Sequence, residues 1–309
     1  MKSIWRNSCL LDSRYHLSMF YLFAIGSMVA YAFQNTLLVH HARKIDGLSL
    51  AAYRNLSFIV TLLPLLFLSP AAHILTILSH WRLLIVSGVT GGISLGLLFS
   101  SYKFLSTSFS SALVISTSTI STTCLGWWYL GERIPVHTLL FIMVILSGVL
   151  GFGLQYKRIT HLDRRLLLGI LLAALNGPFV AYSKYLAAVL ARATDPLAVG
   201  YFWEVSIGIS SFFLLLLRQL LLKKKMQRIT PKTLAVIAAC GSPTLLGTGL
   251  FTLAAANGPI AIVSAIGGGA LVVATLLAWG WYGEKITLKQ SLAISVIVLG
   301  ILGLKTFKL

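Results

Sequence analysis

The sequence predicts an all-α integral membrane protein with ten transmembrane helices. Of its 309 residues, 57% are hydrophobic and 10% are charged, whereas roughly 25% are charged in a typical soluble globular protein. Ten apolar runs each have the length of about 20 residues that a helix needs to cross a bilayer. They cover residues 17–39, 48–69, 81–101, 107–129, 135–155, 166–190, 197–220, 232–256, 259–281 and 287–306. This composition argues against a soluble enzyme, a disordered chain and a disulfide scaffold.

The first run follows Lys2, Arg6 and Arg14. It exceeds the core of a signal peptide and has no Ala-x-Ala cleavage site, so we interpret it as an uncleaved first helix. Charged or turn-forming residues separate the later runs, and the stretches between the runs are too short for a soluble domain. They are 40–47, 69–80, 131–135, 156–165, 192–196, 223–231 and the short break at 257–259.

Prolines inside spans predict local kinks. Pro64, Pro178 and Pro243 each lack a backbone donor, so each is expected to bend its helix. Glycines at Gly88, Gly92 and Gly96 form a stripe with a spacing of four residues, which lets a second helix approach closely.

The charge balance of the chain is strongly basic, with 25 Lys and Arg against 7 Asp and Glu and a formal net charge of +18. Nearly all of these basic residues fall in loops, tails and helix ends, where they lie near lipid headgroups. The net charge is therefore not interpreted as a nucleic-acid site. The three cysteines, Cys9, Cys124 and Cys240, form no metal or disulfide motif.

The chain contains an internal repeat. The segment 127–134, from Trp127 to Ile134, matches 279–286, 152 positions later. Residues 1–156 and 157–309 are therefore expected to be two five-helix halves of one membrane unit. An odd number of helices per half inverts the second copy in the membrane, and inverted repeats around a central cavity are typical of transporters.

The sequence resembles the EamA-type members of the drug/metabolite transporter superfamily. The resemblance covers nearly the whole chain. It rests on Gly131-Glu132-Arg133 and Gly283-Glu284-Lys285 after the fourth helix of each half, on Tyr102–Leu105 and Phe251–Ala254 at the ends of the third helices, and on Ala51–Arg54 in the second helix. The resemblance implies two bundles around a central cavity, alternating access, a bacterial inner membrane location and cytoplasmic termini. The distribution of basic residues disagrees with that orientation, because more of them fall on the side opposite the termini.

Three charged residues lie well away from the ends of predicted spans, namely Arg54, Lys184 and Glu204. A charge at mid-span costs roughly 2.5–3.5 kcal/mol on insertion scales, so each is a functional candidate. Lys184 and Glu204 lie at matching depth on adjacent helices, and we expect them to pair or to share a ligand. The repeat maps them to Asn35 and Asn55, which are expected at the opposite depth with Arg54 beside Asn55.

Two interpretations of these charges stay open at this stage. One is a structural ion pair. The other is a site for a zwitterion, in which Lys184 or Arg54 binds a carboxylate and Glu204 binds an amine or a proton. Aromatic side chains nearby offer a stacking surface. The predicted substrate-binding residues are Arg54, Lys184, Glu204, Asn35, Asn55, Tyr31, Tyr182 and Trp203. Glu132 and Glu284 are expected to anchor loops or to pair with Arg133 and Lys285.

The predicted function is that of a secondary transporter for an amino acid or an amino-acid-like zwitterion such as S-adenosylmethionine. The runner-up is export of amphipathic cationic drugs, for which an acidic residue in the first span is expected but missing. A membrane-embedded lipid-modifying enzyme is the rival class, because His41 and Asp46 match a His-x4-Asp pattern. We expect no catalytic residues, metal or cofactor. The expected partners are the bilayer, a small-molecule substrate and a coupled proton or exchanged substrate, with the protein a monomer or weak dimer.

Overall fold

Helices make up the fold. The computed structural model describes residues 13–154, 163–223, 227–282 and 286–306. Its helices are α1 (Ser13–Lys44), α2 (Gly47–Thr61), α3 (Leu63–Phe67), α4 (Ala71–Ser79), α5 (Trp81–Ser101), α6 (Thr107–Leu130), α7 (Val136–Leu154), α8 (Arg164–Ala193), α9 (Pro196–Leu222), α10 (Pro231–Gly241), α11 (Thr244–Asn257), α12 (Ile260–Gly267), α13 (Ala270–Tyr282) and α14 (Leu288–Thr306).

Eight helical segments within the described ranges are long and apolar enough to cross a membrane, so the chain is a multi-pass membrane protein. α6 has sufficient length but is not among the eight, because Ser and Thr lower its hydropathy. α14 contributes a shorter apolar stretch, Leu288–Leu304. Exactly ten crossings therefore stay a prediction.

Two of the three predicted kinks correspond to helix breaks. α2 ends one residue before α3, which has Pro64 in its first turn. α10 and α11 are separated at Ser242 and Pro243, whereas Pro178 lies inside the continuous α8. The predicted loop at 69–80 contains a helix, α4, of 9 residues. At 1.5 Å per residue α4 is far too short to span a bilayer. The predicted break between two spans is therefore present, but its backbone is helical and not a loop.

Contacts at both ends of α2 and α9 show the relative direction of these two helices. Asp46 caps the start of α2 and binds Arg218 near the end of α9, with Nη1 2.7 Å from Oδ2. Asp195 caps the start of α9 and accepts a hydrogen bond of 2.6 Å from Ser69, beyond the end of α3. α2 and α9 therefore run antiparallel. We call the end of the bundle that contains Asp46 the Asp46 end, and the end that contains Arg192, at the end of α8, the Arg192 end.

α6 and α8 pack with almost no space between their backbones. A methyl group on Gly177 in α8 would lie 2.5 Å from Thr117 Cβ and 2.7 Å from the Ser118 backbone nitrogen in α6. We expect Gly177→Ala to destabilise the protein by roughly 1–3 kcal/mol through overpacking. Gly151→Ala is the matched control, because a methyl group there meets nothing within 4 Å. Thermal unfolding in detergent measures both, and equal melting temperatures for the two variants would contradict this packing.

The contact between Asp46 and Arg218 predicts a dependence of stability on pH. Partial burial opposes ionisation of the Asp46 carboxyl, but hydrogen bonds from Arg218 and Ser49 outweigh it and hold its pKa below the usual value. A depressed pKa in the folded state contributes stability above the unfolded-state pKa, and that contribution is lost as the pH falls through the folded-state pKa. Wild type is therefore expected to melt above Asp46→Asn at pH 7, and the gap should close in the acidic range. A gap that does not change with pH would contradict this assignment.

Candidate functional site

A cavity of about 220 Å³ lies between helices of both halves. Polar side chains that the sequence singled out line it together with apolar ones from α1, α5, α6, α8, α9, α11 and α12. The predicted residues that line it are Tyr31, Asn35, Arg54, Lys184, Trp203 and Glu204. The structure thus brings six of the eight predicted residues to one cavity.

Both carboxylate oxygens of Glu204 accept hydrogen bonds. Asn55 Nδ2 donates to Oε2 at 2.8 Å, and the Thr248 hydroxyl donates to Oε1 at 2.8 Å. The Tyr31 hydroxyl lies 2.7 Å from the Thr248 hydroxyl. Since Thr248 uses its proton toward Glu204, Tyr31 donates to Thr248. Glu204 is only 4% exposed, and this network supplies the partners that a buried carboxylate requires.

Arg54 reaches Glu204 through an amide. Its Nη1 donates to Asn55 Oδ1 at 2.9 Å, and the same amide group donates to Glu204. Its guanidinium also lies over the Phe58 ring, 4.8 Å from the centroid. Arg54 Nε has no hydrogen-bond partner within the protein. The three residues form a continuous chain of charge, amide and charge across α2 and α9.

Lys184 lines the cavity without an ion-pair partner among the described residues. The ion pairs found there are Arg192–Glu132 and Arg218–Asp46, so the expected direct pair between Lys184 and Glu204 is not formed. The ammonium lies over the Phe251 ring, 5.7 Å from its centroid. Lys184 and Glu204 therefore share a cavity instead of a salt bridge.

Trp203 holds α8 and α9 in register beside these charges. Its Nε1 donates to the Ser183 hydroxyl at 2.9 Å, and its ring packs against Phe251 with centroids 5.4 Å apart. Ser183 in turn hydrogen-bonds Ser87 in α5. These contacts place Trp203 at the depth of Lys184, as an aromatic wall of the cavity.

Two predicted residues are placed differently from the expectation. Asn55 was expected at the opposite depth from Glu204, but it bonds Glu204 directly and therefore lies at the same depth. The two depths coincide because both residues are near the middle of antiparallel helices. Tyr182 does not line the cavity; it is 38% exposed and its ring lies 5.9 Å from that of Tyr185. Val180 and Lys184, which line the cavity, are each two residues from Tyr182 in α8. Two residues correspond to a rotation of 200° about the helix axis, so the Tyr182 side chain lies on the opposite face.

Sequence reasoning missed several polar residues of this region, among them Thr248 and Asn176. Thr248 supports Glu204, but a threonine in an apolar run gives no distinctive signal. Asn176 lines the cavity from α8; it is an amide in an otherwise apolar run before Gly177 and Pro178, a signal that could have been found. In α6, Ser118 and Thr119 line the cavity, whereas Thr117, Thr122 and Thr123 bond carbonyls of their own helix.

The expected anchoring by Glu132 is present, but its partner is Arg192 instead of Arg133. Arg192 Nη2 lies 2.6 Å from Glu132 Oε1 and also donates to the Gly258 carbonyl. The same Glu132 oxygen accepts from the Ile260 backbone at 3.0 Å. This cluster joins the ends of α6 and α8 to the loop before α12. Glu284 and Lys285 lie outside the described residues.

Comparisons with known proteins identify the family. The model of the EamA-like transporter family matches residues 18–154 and 167–306. The chain belongs to the EamA-like transporter family. It is therefore a membrane transporter of the drug/metabolite transporter superfamily.

A solved structure described only as a crystal structure of a protein shares the fold. The TM-score is 0.66 at 16% sequence identity, over 90% of this EamA-like transporter and 94% of the other chain. At this identity the similarity concerns the fold alone. The comparison with curated proteins finds no match.

Proposed function

We propose that this EamA-like transporter is a secondary transporter that moves a small polar metabolite with a carboxylate, most simply an amino-acid-like zwitterion. The observation that carries the proposal is the Lys184 ammonium, which lines the cavity and pairs with no carboxylate of the described residues. A charged side chain within the membrane is costly to insert, and such residues commonly pair with an opposite charge or mark a substrate pathway. The carboxylate of a ligand is a fitting partner for Lys184.

The amine of the zwitterion is assigned to Glu204. Its oxygens already accept from Asn55 and Thr248, but each carboxylate oxygen has a second lone pair to offer. The aromatic wall of Trp203 and Phe251 packs against the apolar part of the ligand. A volume of about 220 Å³ is below the roughly 300–1,000 Å³ of pockets for drug-sized ligands. This favours an amino acid over a bulky drug and, within the proposed class, over the larger S-adenosylmethionine.

We further propose that 1–156 and 157–309 are inverted repeats that exchange access between the two sides. The antiparallel course of α2 and α9 supports this inversion. So do the equivalent glycines of the fifth helices: Gly148 in α7 packs against Ile297, and Gly300 in α14 packs against Ile145. Asn55 and Glu204, equivalent in the repeat, bond each other, as expected for residues beside a two-fold pseudo-axis.

Burial along the cavity supports a state that is closed at the Arg192 end. Phe251, Trp203 and Val263, toward that end, are each 4% exposed, whereas Asn35, toward the Asp46 end, is exposed. The cluster of Arg192 and Glu132 joins helices of both halves over the closed end. In the proposed cycle this cluster separates when the cavity opens there.

The other proposed functions receive less support. Export of amphipathic cations does not fit a cavity lined by Arg54 and Lys184 against Glu204 alone. For a lipid-modifying enzyme, His41 would have to be oriented by Asp46, but that carboxylate binds Ser49 and Arg218 instead. We keep a bacterial inner membrane and cytoplasmic termini as part of the proposal, and tags on each terminus with accessibility measured from both sides test the orientation.

Binding to the purified protein tests the proposed substrate class. We expect amino acids or S-adenosylmethionine to bind saturably, and the desamino analogue of each binding amino acid to bind more weakly. Saturable binding of tetraphenylphosphonium with no response to any zwitterion would favour the multidrug alternative.

A further inference from the structure

The cavity has a second polar layer that the proposed function does not use. Asn176 in α8 and Ser118 in α6 line it, and they are 1% and 3% exposed. The Asn176 amide nitrogen donates to the Ser94 carbonyl, which leaves the amide oxygen as its free atom. Neither Asn176 Oδ1 nor Ser118 Oγ has a hydrogen-bond partner within the protein. Buried polar atoms of this kind are rare in native structures and call for an explanation.

Close packing of α6 against α8 places Asn176 and Ser118 at a similar depth of the cavity. Gly177 follows Asn176, and a methyl group there would lie 2.7 Å from the Ser118 backbone nitrogen. The absence of a side chain at Gly177 therefore brings α6 against α8 at this depth. The amide oxygen accepts hydrogen bonds only, and the hydroxyl both accepts and donates. Together they suit a ligand group that donates hydrogen bonds.

The second layer is separated from the charged layer along the helix axis. Ser183 bonds Trp203 and marks the depth of Lys184 and Glu204. Asn176 precedes Ser183 by seven residues in α8, which corresponds to about 10 Å at 1.5 Å per residue. Val180, which lies between the two layers in α8, gives this part of the cavity wall an apolar side chain. One α-carboxylate and α-amine cannot reach both layers, because these groups are attached to the same carbon.

We infer that the cavity binds an elongated ligand at two ends: its carboxylate and amine at Lys184 and Glu204, and a distal hydrogen-bond donor at Asn176 and Ser118. This inference rests on the proposed function and adds a specificity-determining subsite to it. The preferred substrates are amino-acid-like molecules whose side chains carry a terminal hydroxyl, amine or amide beyond an apolar stem. Amino acids with purely apolar side chains of the same length leave the second layer without a partner and bind more weakly.

A matched set of ligands tests the subsite in the purified full chain. L-Lysine, L-6-hydroxynorleucine and L-2-aminoheptanoic acid have side chains of equal length that end in an ammonium, a hydroxyl and a methyl group. We expect the first two to bind on the order of tenfold more tightly than the third, since the apolar end leaves a buried acceptor unsatisfied. In Asn176→Leu and Ser118→Ala this preference should shrink, with the larger loss in Asn176→Leu.

Two variants at the second layer and one control outside the cavity separate loss of the subsite from loss of folding. Ser118→Ala removes an atom that has no partner in the protein, so it remains informative if Asn176→Leu fails to fold. Tyr182→Phe, outside the cavity, is the control and should keep the full preference. Equal binding of the three ligands to wild type, or a preference unchanged in Ser118→Ala and Asn176→Leu, would overturn the subsite and leave the proposed function standing. Absence of saturable binding by all three and by other amino acids would overturn the proposed function itself.

Discussion

Replacing Lys184 with methionine is expected to reduce the affinity for a carboxylate-bearing substrate at least roughly 30-fold. Removing one member of a buried hydrogen-bonded charge pair costs on the order of 2–5 kcal/mol, and each 1.4 kcal/mol is a factor of ten in affinity. Methionine keeps an unbranched, flexible apolar stem that is one heavy atom shorter, so the substitution removes the ammonium with little change of shape. Isothermal titration of the purified variant with a substrate that binds wild type measures the effect.

Folding of the Lys184 variant is expected to be unimpaired. Lys184 pairs with no acidic residue of the described chain, and its removal relieves the cost of an ammonium within the membrane. Lys184→Met should therefore melt at or above the wild-type temperature. Lys232→Met is the matched control, because Lys232 is exposed in α10; it should leave affinity unchanged. Wild-type affinity in Lys184→Met would show that this ammonium does not bind the carboxylate.

Replacing Glu204 with glutamine is expected to lower the stability of the protein strongly. Glutamine retains the shape, and its Oε1 can accept from Asn55 while its amide nitrogen donates to the Thr248 hydroxyl, but the negative charge that faces Arg54 through Asn55 is lost. A buried cation without its counter-charge destabilises a protein by roughly 3–5 kcal/mol. Chemical denaturation in mixed micelles measures the change.

A second substitution separates charge from packing. Arg54→Gln/Glu204→Gln removes both charges and should recover much of the stability lost in Glu204→Gln. If the single variant is as stable as wild type, or the double variant is no better than the single one, the chain from Arg54 to Glu204 does not act through charge. Binding gives an independent result, because Glu204→Gln should lower affinity for an amino acid more than for its desamino analogue.

The sequence predicted the membrane fold and several residues that line the candidate cavity, because charges within apolar runs leave strong signals. Arg54, Lys184 and Glu204 stand out as charges within apolar runs, and the matching depth of Lys184 and Glu204 follows from helical rise alone. The repeat also predicted that Asn55 is equivalent to Glu204. Helix rise and connectivity do not give side-chain direction, so the sequence did not show that Asn55 bonds Glu204 or that Tyr182 faces away from the cavity.

Other features depend on tertiary contacts that one sequence does not encode visibly. Glu132 was expected to pair with its neighbour Arg133, yet the fold brings Arg192 to it from the end of α8. Thr248 is an ordinary hydroxyl residue until the packing of α9 against α11 places it beside Glu204. The α4 helix was missed because only its backbone conformation, not its hydropathy, distinguishes it from a loop.

The central claim is that Lys184 and Glu204 form the substrate site of an alternating-access carrier. Counterflow in proteoliposomes tests it most directly, with unlabelled amino acid inside and a trace of labelled amino acid outside. We predict transient, saturable accumulation of label with wild type and with Lys232→Met, and its loss with Lys184→Met. Counterflow that persists in Lys184→Met, or turnover of a membrane lipid without any exchange of amino acid, would contradict the claim.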